Sequence, residues 1–244
     1  MPRRSSPAPA GRDPFGELGA KRALPPGLLR RFRDRVLVMT TDRCFKRCPH
    51  CTRAFILGRA PVVDTPERLA ACVDFVRRHR EVMRFGNAVA ALDQVEVVRI
   101  CTRAPVDAPE RVTARLARLL GRSKKVWANI HVNTAAEARK AAPAAARLVE
   151  AGIPVSSQTV LLKGVNDTPA KMLALLRALS AARIRPYYVF QCDPVAGVSE
   201  RFAVPLARAR EIEEWCAARI GGLALPRFVA DVPGASRKVP IERL

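Results

Sequence analysis

The sequence predicts an α/β fold, an incomplete barrel of parallel β-strands in which helices connect successive strands. Apolar runs typical of strands alternate along the chain with stretches in which apolar residues recur at helical spacing. This alternation indicates a parallel sheet joined by right-handed crossovers. The 244 residues are enough for one such domain. We expect residues 1–25, rich in Pro and Arg, to be a lead-in segment and residues 26–244 to form the barrel.

The predicted strands are short apolar runs with turn residues at their ends. The first run is continuously apolar, so we expect both of its faces to be buried. In chain order, the strands are predicted at Arg35–Thr41, Glu81–Phe85, Val95–Ile100, Val126–Val132, Val155–Leu162, Tyr187–Cys192 and Arg227–Ala230. In a parallel barrel, functional residues lie at the C-terminal ends of such strands.

Most of the predicted helices begin after a residue that can cap their free N–H groups. Thr65 and Thr168 each precede a proline, which suits the first helical position. Thr134 and Glu137 form a capping box, in which each side chain accepts a hydrogen bond from the backbone of the other end. Two further helices are predicted at Pro109–Leu120 and Pro205–Ile220.

Internal residues modify two of these helices. Pro143 should kink or split the helix that follows Thr134, because proline lacks an N–H and its ring clashes with the preceding turn. Gly152 should end the same helix. In the helix at Pro109–Leu120, one side is apolar; its residues are Val112, Leu116, Leu119 and Leu120.

The composition argues against several classes of protein. No apolar run approaches the roughly 18 residues of a membrane helix, and the N-terminus lacks the apolar stretch of a secretory signal. Seven cysteines, an odd count, favour a reducing cytoplasm over a disulfide framework. The net charge is +21, but the basic residues are scattered and have few aromatic residues between them. We therefore expect no membrane association and no dedicated nucleic-acid site.

The most specific motif is a C-x3-C-x2-C spacing formed by Cys44, Cys48 and Cys51, directly after the first strand. Three thiolates separated by such short loops can converge on one iron–sulfur cluster. With three protein ligands, a 4Fe-4S cluster keeps one iron open to another molecule. The alternative is a structural zinc site with His50 as the fourth ligand. We expect the cluster with the open iron.

This motif and its flanking words resemble those of the lysine 2,3-aminomutase branch of the radical S-adenosylmethionine (SAM) enzymes. The words are Arg-Val-Leu-Val-Met-Thr-Thr before the cysteines and His-Cys-Thr-Arg across the last one, and the resemblance extends from about Asp13 to Pro240. It implies a radical SAM barrel, with a C-terminal loop whose lysine holds pyridoxal 5′-phosphate (PLP). It also implies a cytoplasmic, homo-oligomeric isomerase that receives electrons from a donor such as flavodoxin or ferredoxin.

The resemblance assigns substrate-binding roles to three charged residues. Arg53 matches the arginine that holds the substrate carboxylate, a bidentate task that suits a guanidinium group. Asp193 and Asp231 match the pair of carboxylates that receives the lysine ammonium group in lysine-using members. A desolvated ammonium needs such charged partners. The implied substrate is therefore L-lysine.

The resemblance also assigns cofactor-binding residues. Lys238 matches the catalytic lysine that forms a Schiff base with PLP, which requires a primary amine. Arg31 and Arg35 match arginines that face the cofactor phosphate. His131 and Gln158, at the ends of two strands, match positions that touch SAM.

The chain departs from the family in the second βα unit. Family members carry a Gly-Gly-Asp word that binds the amino group of SAM, whereas this chain has Gly86 and Asn87 in that region. A full strand–helix–strand unit takes about 30 residues, so the unit between Glu81 and Ile100 is shortened. Residues 235–237 also replace the glycines usual before Lys238.

Two functions from different classes follow. The leading hypothesis is a radical SAM aminomutase that converts L-lysine to β-lysine with a 4Fe-4S cluster, SAM and PLP. The alternative is a catalytically impaired relative that binds the cluster, with or without PLP, and does not cleave SAM; the missing Gly-Gly-Asp word favours it. A cluster-bearing RNA-binding protein is a weaker third hypothesis, based on charge alone.

Overall fold

All strands of the described chain lie in one sheet, in the order in which they occur. The computed structural model describes residues 24–44, 46–54, 57–58, 61–79, 82, 84–85 and 92–244, together with Asp13, Phe15 and Glu17. The strands are β1 (Leu28–Phe32), β2 (Arg35–Val38), β3 (Arg84–Phe85), β4 (Val97–Thr102), β5 (Val126–His131), β6 (Val155–Val160), β7 (Arg185–Phe190), β8 (Arg227–Ala230) and β9 (Val239–Pro240). Strands β2 to β8 are parallel, and the outer strands β1 and β9 pair antiparallel with β2 and β8.

The sheet curls into an open barrel. Strands β1 and β9 are its edges in the described chain, yet side chains from its two ends meet. Arg31 Nη1 of β1 lies 3.2 Å from Asp231 Oδ2, just beyond β8. The Lys238 ammonium lies 5.7 Å from the ring centre of Phe32. Side-chain contacts therefore bridge the gap that backbone hydrogen bonds leave open, which confirms the predicted incomplete barrel.

Helices cover the outside of the sheet. They are α1 (Pro66–Arg78), α2 (Ala104–Asp107), α3 (Ala114–Gly121), α4 (Ala135–Glu150), α5 (Pro169–Ala181), α6 (Ser199–Phe202) and α7 (Leu206–Ala217), with 3-10 turns at Pro109–Arg111 and Ile241–Arg243. Threonine hydroxyls cap α1, α3, α4 and α5 by accepting a hydrogen bond from the first turn. Each such cap contributes about 1 kcal/mol. Within the described ranges, no helix is long and apolar enough to cross a membrane.

The core lies between the sheet and these helices. Ile130 of β5, Leu175 and Leu176 of α5 and Ile212 of α7 are each at most 1% exposed. Successive residues of a strand point to opposite faces, so the other face of each strand lines the barrel interior. Trp127 of β5 has this position and is 40% exposed. The interior is therefore an accessible cavity instead of a packed core.

Two sequence predictions are wrong. The first strand is not buried on both faces, since only Val36 in β2 is buried, and its other face lines the cavity. The helix predicted from Pro109 instead begins after Thr113, whose side chain caps it. Of the predicted apolar side, Val112 is buried and Leu120 packs against the core, whereas Leu116 and Leu119 are 40% and 48% exposed.

Pro143 does not split α4, which runs through it without a break. Pro143 is exposed, as is Arg139 four residues earlier. The Arg139 carbonyl, which loses its helical hydrogen bond to proline, can therefore bind water. The other features of this helix fit the prediction: Thr134 caps its start, and Gly152 follows its end with a positive φ of 78°.

The second βα unit is shortened, as predicted. Strand β3 pairs in parallel with β4, and parallel pairing normally needs a crossover of about a dozen residues or more. Only residues 86–96 separate these strands, and the described part of that connection, residues 92–96, contains no helix. Gly86 and Asn87, which stand in the region of the family's Gly-Gly-Asp word, lie outside the described residues.

Candidate active site

One cavity collects every site residue that the sequence predicts. It has a volume of about 1930 Å³ and occupies the barrel interior and the C-terminal ends of the strands. Its lining includes Arg31, Arg35, Cys44, Cys48, Cys51, Arg53, His131, Gln158, Asp193, Asp231 and Lys238. Residues distant in sequence are thus brought to one place, as expected of a parallel barrel.

The three motif cysteines lie on the loop after β2. Cys44 is exposed, and Cys48 and Cys51 are half-buried. The Cys51 N–H donates to the Cys48 carbonyl at 3.1 Å, which forms a turn between them. Burial raises the pKa of the Cys48 and Cys51 thiols, and the neighbouring thiols raise it further. A bound metal would reverse this effect, because it stabilises the thiolate.

The donor chemistry of this loop fits an iron–sulfur cluster. In the described part of the chain, no three His, Cys, Asp or Glu side chains are yet close enough to hold a metal ion. Cluster binding would therefore draw the three thiols together. His50 is turned away from this role, because its Nε2 lies 3.2 Å from the Asn133 amide nitrogen, which can only donate. The lone pair of His50 Nε2 is thus not available to zinc.

Lys238 and Asp231 form an ion pair inside the cavity. Lys238 Nζ donates to the Asp231 oxygens at 2.9 and 3.1 Å and lies 4.6 Å from the ring centre of Phe190. Burial lowers the pKa of Lys238, and Asp231 partly opposes this effect. A buried amine with a lowered pKa suits reaction with an aldehyde. The position of Lys238 therefore fits the predicted attachment of PLP.

The carboxylate of Asp193 is only partly compensated by its surroundings. Its Oδ1 is buried and has no hydrogen-bond partner among the described residues, although the charges of Arg31, Lys238 and Arg53 act on it. Burial, and then the nearby charge of Asp231, raise the pKa of Asp193 to about 7. A buried carboxylate without a partner is costly, and a cation entering the cavity would remove that cost.

Arg53 is already paired in this structure. Its Nε and Nη2 donate to the carboxylate of Glu17 at 2.9 and 2.8 Å. This pairing uses one edge of the guanidinium group and leaves Nη1 for another acceptor. Sequence reasoning missed Glu17, since 36 residues separate the pair. A substrate carboxylate would use the remaining edge or displace Glu17.

The two arginines predicted to face a phosphate also have carboxylate partners. Arg31 pairs with Asp231, and its guanidinium group lies 3.7 Å from the ring centre of Phe15. Arg35 donates to both oxygens of its neighbour Asp34, at 2.8 and 2.9 Å. Both arginines line the cavity near Lys238. Each guanidinium group has five N–H donors, so the donors that these carboxylates do not use remain for an anion.

His131 ends β5 and pairs directly in the sheet register with Gln158, which lies two residues before the end of β6. Behind them lies a polar network that sequence reasoning missed. Arg103 donates to Asp107 at 2.9 Å and to Glu137 at 2.8 Å. Its side chain is only 8% exposed. Arg103 directly follows the end of β4. The expectation that functional residues lie at the C-terminal ends of strands, which selected His131, would also have selected Arg103.

Comparison with known proteins identifies the family. The L-lysine 2,3-aminomutase of Clostridium subterminale is 36% identical over 235 residues, which cover 88% of this chain and 56% of that protein. A putative L-lysine 2,3-aminomutase of Treponema pallidum is 32% identical over 252 residues, 95% of this chain and 70% of that protein. This chain belongs to the L-lysine 2,3-aminomutase family. The family also has a relative of different name, the glutamate 2,3-aminomutase of Clostridioides difficile, which is 28% identical over 249 residues.

The lysine 2,3-aminomutase relatives are generally longer than this chain. The chain spans about half the length of most of the curated relatives it matches. No protein-family model matches it. Among solved structures, a radical SAM methyltransferase of Sphaerobacter thermophilus has a TM-score of 0.50 at 16% identity, over 83% of this chain and 68% of that one.

A second solved structure has the same fold. SuiB of Streptococcus suis has a TM-score of 0.55 at 14% identity, over 82% of this chain and 51% of that one. Likenesses at such low identity show the fold alone. The chain thus has the open α/β barrel of radical SAM proteins, as the cysteine motif predicted.

Proposed function

We propose that this chain is a radical SAM aminomutase that moves the α-amino group of L-lysine to the β carbon. The observation that carries the proposal is Asp193, whose buried Oδ1 has no hydrogen-bond partner among the described residues, in the cavity that also holds Arg53, Lys238 and the cysteine loop. The membership of the lysine 2,3-aminomutase family supports the same reaction.

The charges of the cavity favour lysine as the substrate. Asp193 would receive the side-chain ammonium, since this contact compensates the buried carboxylate. Arg53 would hold the substrate carboxylate through the guanidinium edge that Glu17 leaves free. Receptors of opposite charge at two places set both the length and the charge of an acceptable amino acid. A second carboxylate, as in glutamate, would meet Asp193 with like charge.

The family resemblance, together with the donor chemistry of the residues, supports three cofactors. Cys44, Cys48 and Cys51 would hold a 4Fe-4S cluster, Lys238 would bind PLP, and Arg31 and Arg35 would neutralise the PLP phosphate. His131 and Gln158 would contact SAM. When bound, the cluster and SAM would supply a radical that abstracts a hydrogen atom, and PLP would supply a π-system that lets the amino group migrate. The chain's own task is to hold the substrate by both ends and to keep water from it.

The remaining proposals concern the cellular compartment, the electron donor and the oligomeric state. All seven cysteines are free thiols, which supports a reducing compartment such as the cytoplasm. We also infer an electron donor of the flavodoxin or ferredoxin type and a homo-oligomer, both on the basis of the family.

The direct test is turnover by anaerobically reconstituted protein supplied with SAM, PLP, reductant and L-lysine. We expect β-lysine by mass spectrometry and expect Asp193→Asn to abolish most of it. Asp74→Asn is the matched control, since Asp74 is an exposed partner of Arg77 and is not among the residues that line the cavity. A chain that carries the cluster but yields neither β-lysine nor 5′-deoxyadenosine would contradict the proposal and favour the impaired relative.

A further inference from the structure

The side chain of Asn133, two residues beyond His131, contacts two histidines at once. Asn133 Oδ1 lies 3.1 Å from His131 Nε2, and Asn133 Nδ2 lies 3.2 Å from His50 Nε2. His50 belongs to the cysteine loop, whereas His131 ends β5. The two imidazole ring centres are 5.8 Å apart. One amide therefore links the cysteine loop to the end of a barrel strand.

A third contact fixes which way this amide points. The backbone N–H of Val160 donates to Asn133 Oδ1 at 3.0 Å. A backbone N–H needs an acceptor, so the atom that faces Val160 must be the oxygen and not the nitrogen. The amide nitrogen then faces His50. Reversing the amide would place two donors against each other.

This orientation determines the proton positions on both rings. An amide oxygen only accepts, so His131 Nε2 must carry a proton and donate. An amide nitrogen only donates, so His50 Nε2 must be an unprotonated acceptor and its proton must lie on Nδ1. His131 Nδ1 has no partner among the described residues. It is the ring nitrogen that remains for a ligand.

The surroundings hold Asn133 in this position. Asn133 is 4% exposed, and its backbone N–H donates to Glu137 Oε2 at 2.7 Å. Its carbonyl accepts from Asn166 Nδ2 at 3.1 Å. Burial, and then the charge of Arg103, lower the pKa of His131 to about 4. His131 is thus a neutral imidazole whose free nitrogen is an acceptor at neutral pH.

We propose that Asn133 is a positioning residue that holds His131 with its proton on Nε2, so that Nδ1 accepts a hydrogen bond from the bound ligand. The ligand group that meets His131 is then a donor, a hydroxyl or an amino group, and not a carboxylate. The identification of this ligand as SAM, through its ribose hydroxyls or adenine amino group, rests on the proposed function.

The first test measures the proton positions without any cofactor. The chain has three histidines, so ¹⁵N-histidine labelling of iron-free protein gives three ring systems that single substitutions can assign. At mildly alkaline pH we expect His131 protonated on Nε2 and His50 on Nδ1. His79 is an internal reference, since its Nδ1 lies 2.7 Å from the Phe75 carbonyl and must carry the proton. A His131 ring protonated on Nδ1 would overturn the proposal.

The second test uses Asn133→Ala. We expect the rings of His131 and His50 to become mixtures of tautomers, while the His79 signals stay unchanged. Asn129→Ala is the matched control, because Asn129 is a buried asparagine of β5 with no hydrogen bond to either histidine among the described residues. Unchanged tautomers in a folded Asn133→Ala protein would overturn the positioning role. Even if Asn133→Ala does not fold, the spectrum of the unsubstituted chain shows which ring nitrogen of His131 carries the proton.

The third test measures SAM binding to cluster-loaded protein by calorimetry. We expect Asn133→Ala to weaken binding by about tenfold or more, the usual effect of removing a residue that orients a ligand-contacting histidine. Equal affinities would overturn the link to the ligand. If the unsubstituted chain binds no SAM, the proposed function fails, whereas the tautomer measurement still decides the role of Asn133.

Discussion

Lys238 and Asp231 satisfy each other's charge in the cavity, with Nζ 2.9 and 3.1 Å from the two carboxylate oxygens. Asp231 also pairs with Arg31 at 3.2 Å. Asp231, one of the two carboxylates that the family resemblance assigns to the substrate ammonium, is therefore occupied by the amine proposed to bind PLP. Attachment of PLP would lower the charge on Lys238 and release part of the Asp231 carboxylate. Cofactor loading and substrate binding are thus linked through one ion pair.

We predict that Asp231→Asn makes Lys238 more reactive toward PLP at neutral pH. Asp231 raises the pKa of Lys238 against the effect of burial, so its removal lowers that pKa and increases the uncharged fraction of the amine. The measurement is the pH dependence of adduct formation, trapped with borohydride and located by mass spectrometry. The profile should move to lower pH, whereas Asp74→Asn should leave it in place. Trapping on another lysine would contradict the assignment.

We predict that Asp193 destabilises the folded chain as pH rises. Aspartate in an unfolded chain ionises near pH 4, whereas burial raises the pKa of Asp193 to about 7. Between these values the folded chain binds more protons than the unfolded chain, so the free energy of unfolding falls with rising pH. Asp193→Asn should remove this fall and add up to about 4 kcal/mol above about pH 7, since one pKa unit is about 1.4 kcal/mol. Urea unfolding at several pH values would measure it; parallel pH profiles would contradict the prediction.

We predict that Arg103→Ala destabilises the chain by about 3–5 kcal/mol, because it strands the buried carboxylates of Asp107 and Glu137. Arg77→Ala is the control: its pair with Asp74 has a similar distance, 3.1 Å, but both side chains are more than half exposed. That change should cost about 0–1 kcal/mol. Chemical denaturation measures both. Equal losses of unfolding free energy in the two variants would mean that burial of the Arg103 ion pairs contributes nothing to stability.

We predict that Cys44→Ala, Cys48→Ala or Cys51→Ala each prevents assembly of the iron–sulfur cluster, since three thiolates hold it. Cys72→Ala and Cys216→Ala are the controls, because both thiols are fully buried in the core. Iron and sulfide analysis after anaerobic reconstitution distinguishes them. Zinc without iron or sulfide in the unsubstituted chain would contradict the prediction.

The sequence predicts the fold best where periodicity and end signals agree. Strand β8 has the predicted bounds, and α1 begins at the predicted cap. Antiparallel β1 and β9 were missed, because β1 contains two arginines among its five residues and β9 is only two residues long. The start of α3 was predicted too early, because Pro109–Arg111 forms a separate 3-10 turn and the helix begins only after its cap at Thr113.

For the site, the sequence predicts which residues gather but not how they pair. The C-terminal ends of parallel strands brought His131, Gln158 and Asp193 into one cavity. The pairings of Arg53 with Glu17 and of Lys238 with Asp231 depend on how the loops close over the barrel, which no local pattern encodes. The two contacts of Asn133 likewise depend on where the cysteine loop lies above β5.

The central claim is that Asp193 and Arg53 select an amino acid with a cationic side chain. The most direct measurement is the visible absorbance of PLP-loaded protein during titration with L-lysine and, separately, L-glutamate. We predict a change at far lower concentrations of lysine than of glutamate. Asp193→Asn should weaken the lysine response by about 1–3 kcal/mol, the cost of losing a charged hydrogen-bond partner. An equal response to both amino acids, or a lysine response that Asp193→Asn leaves unchanged, would contradict the claim.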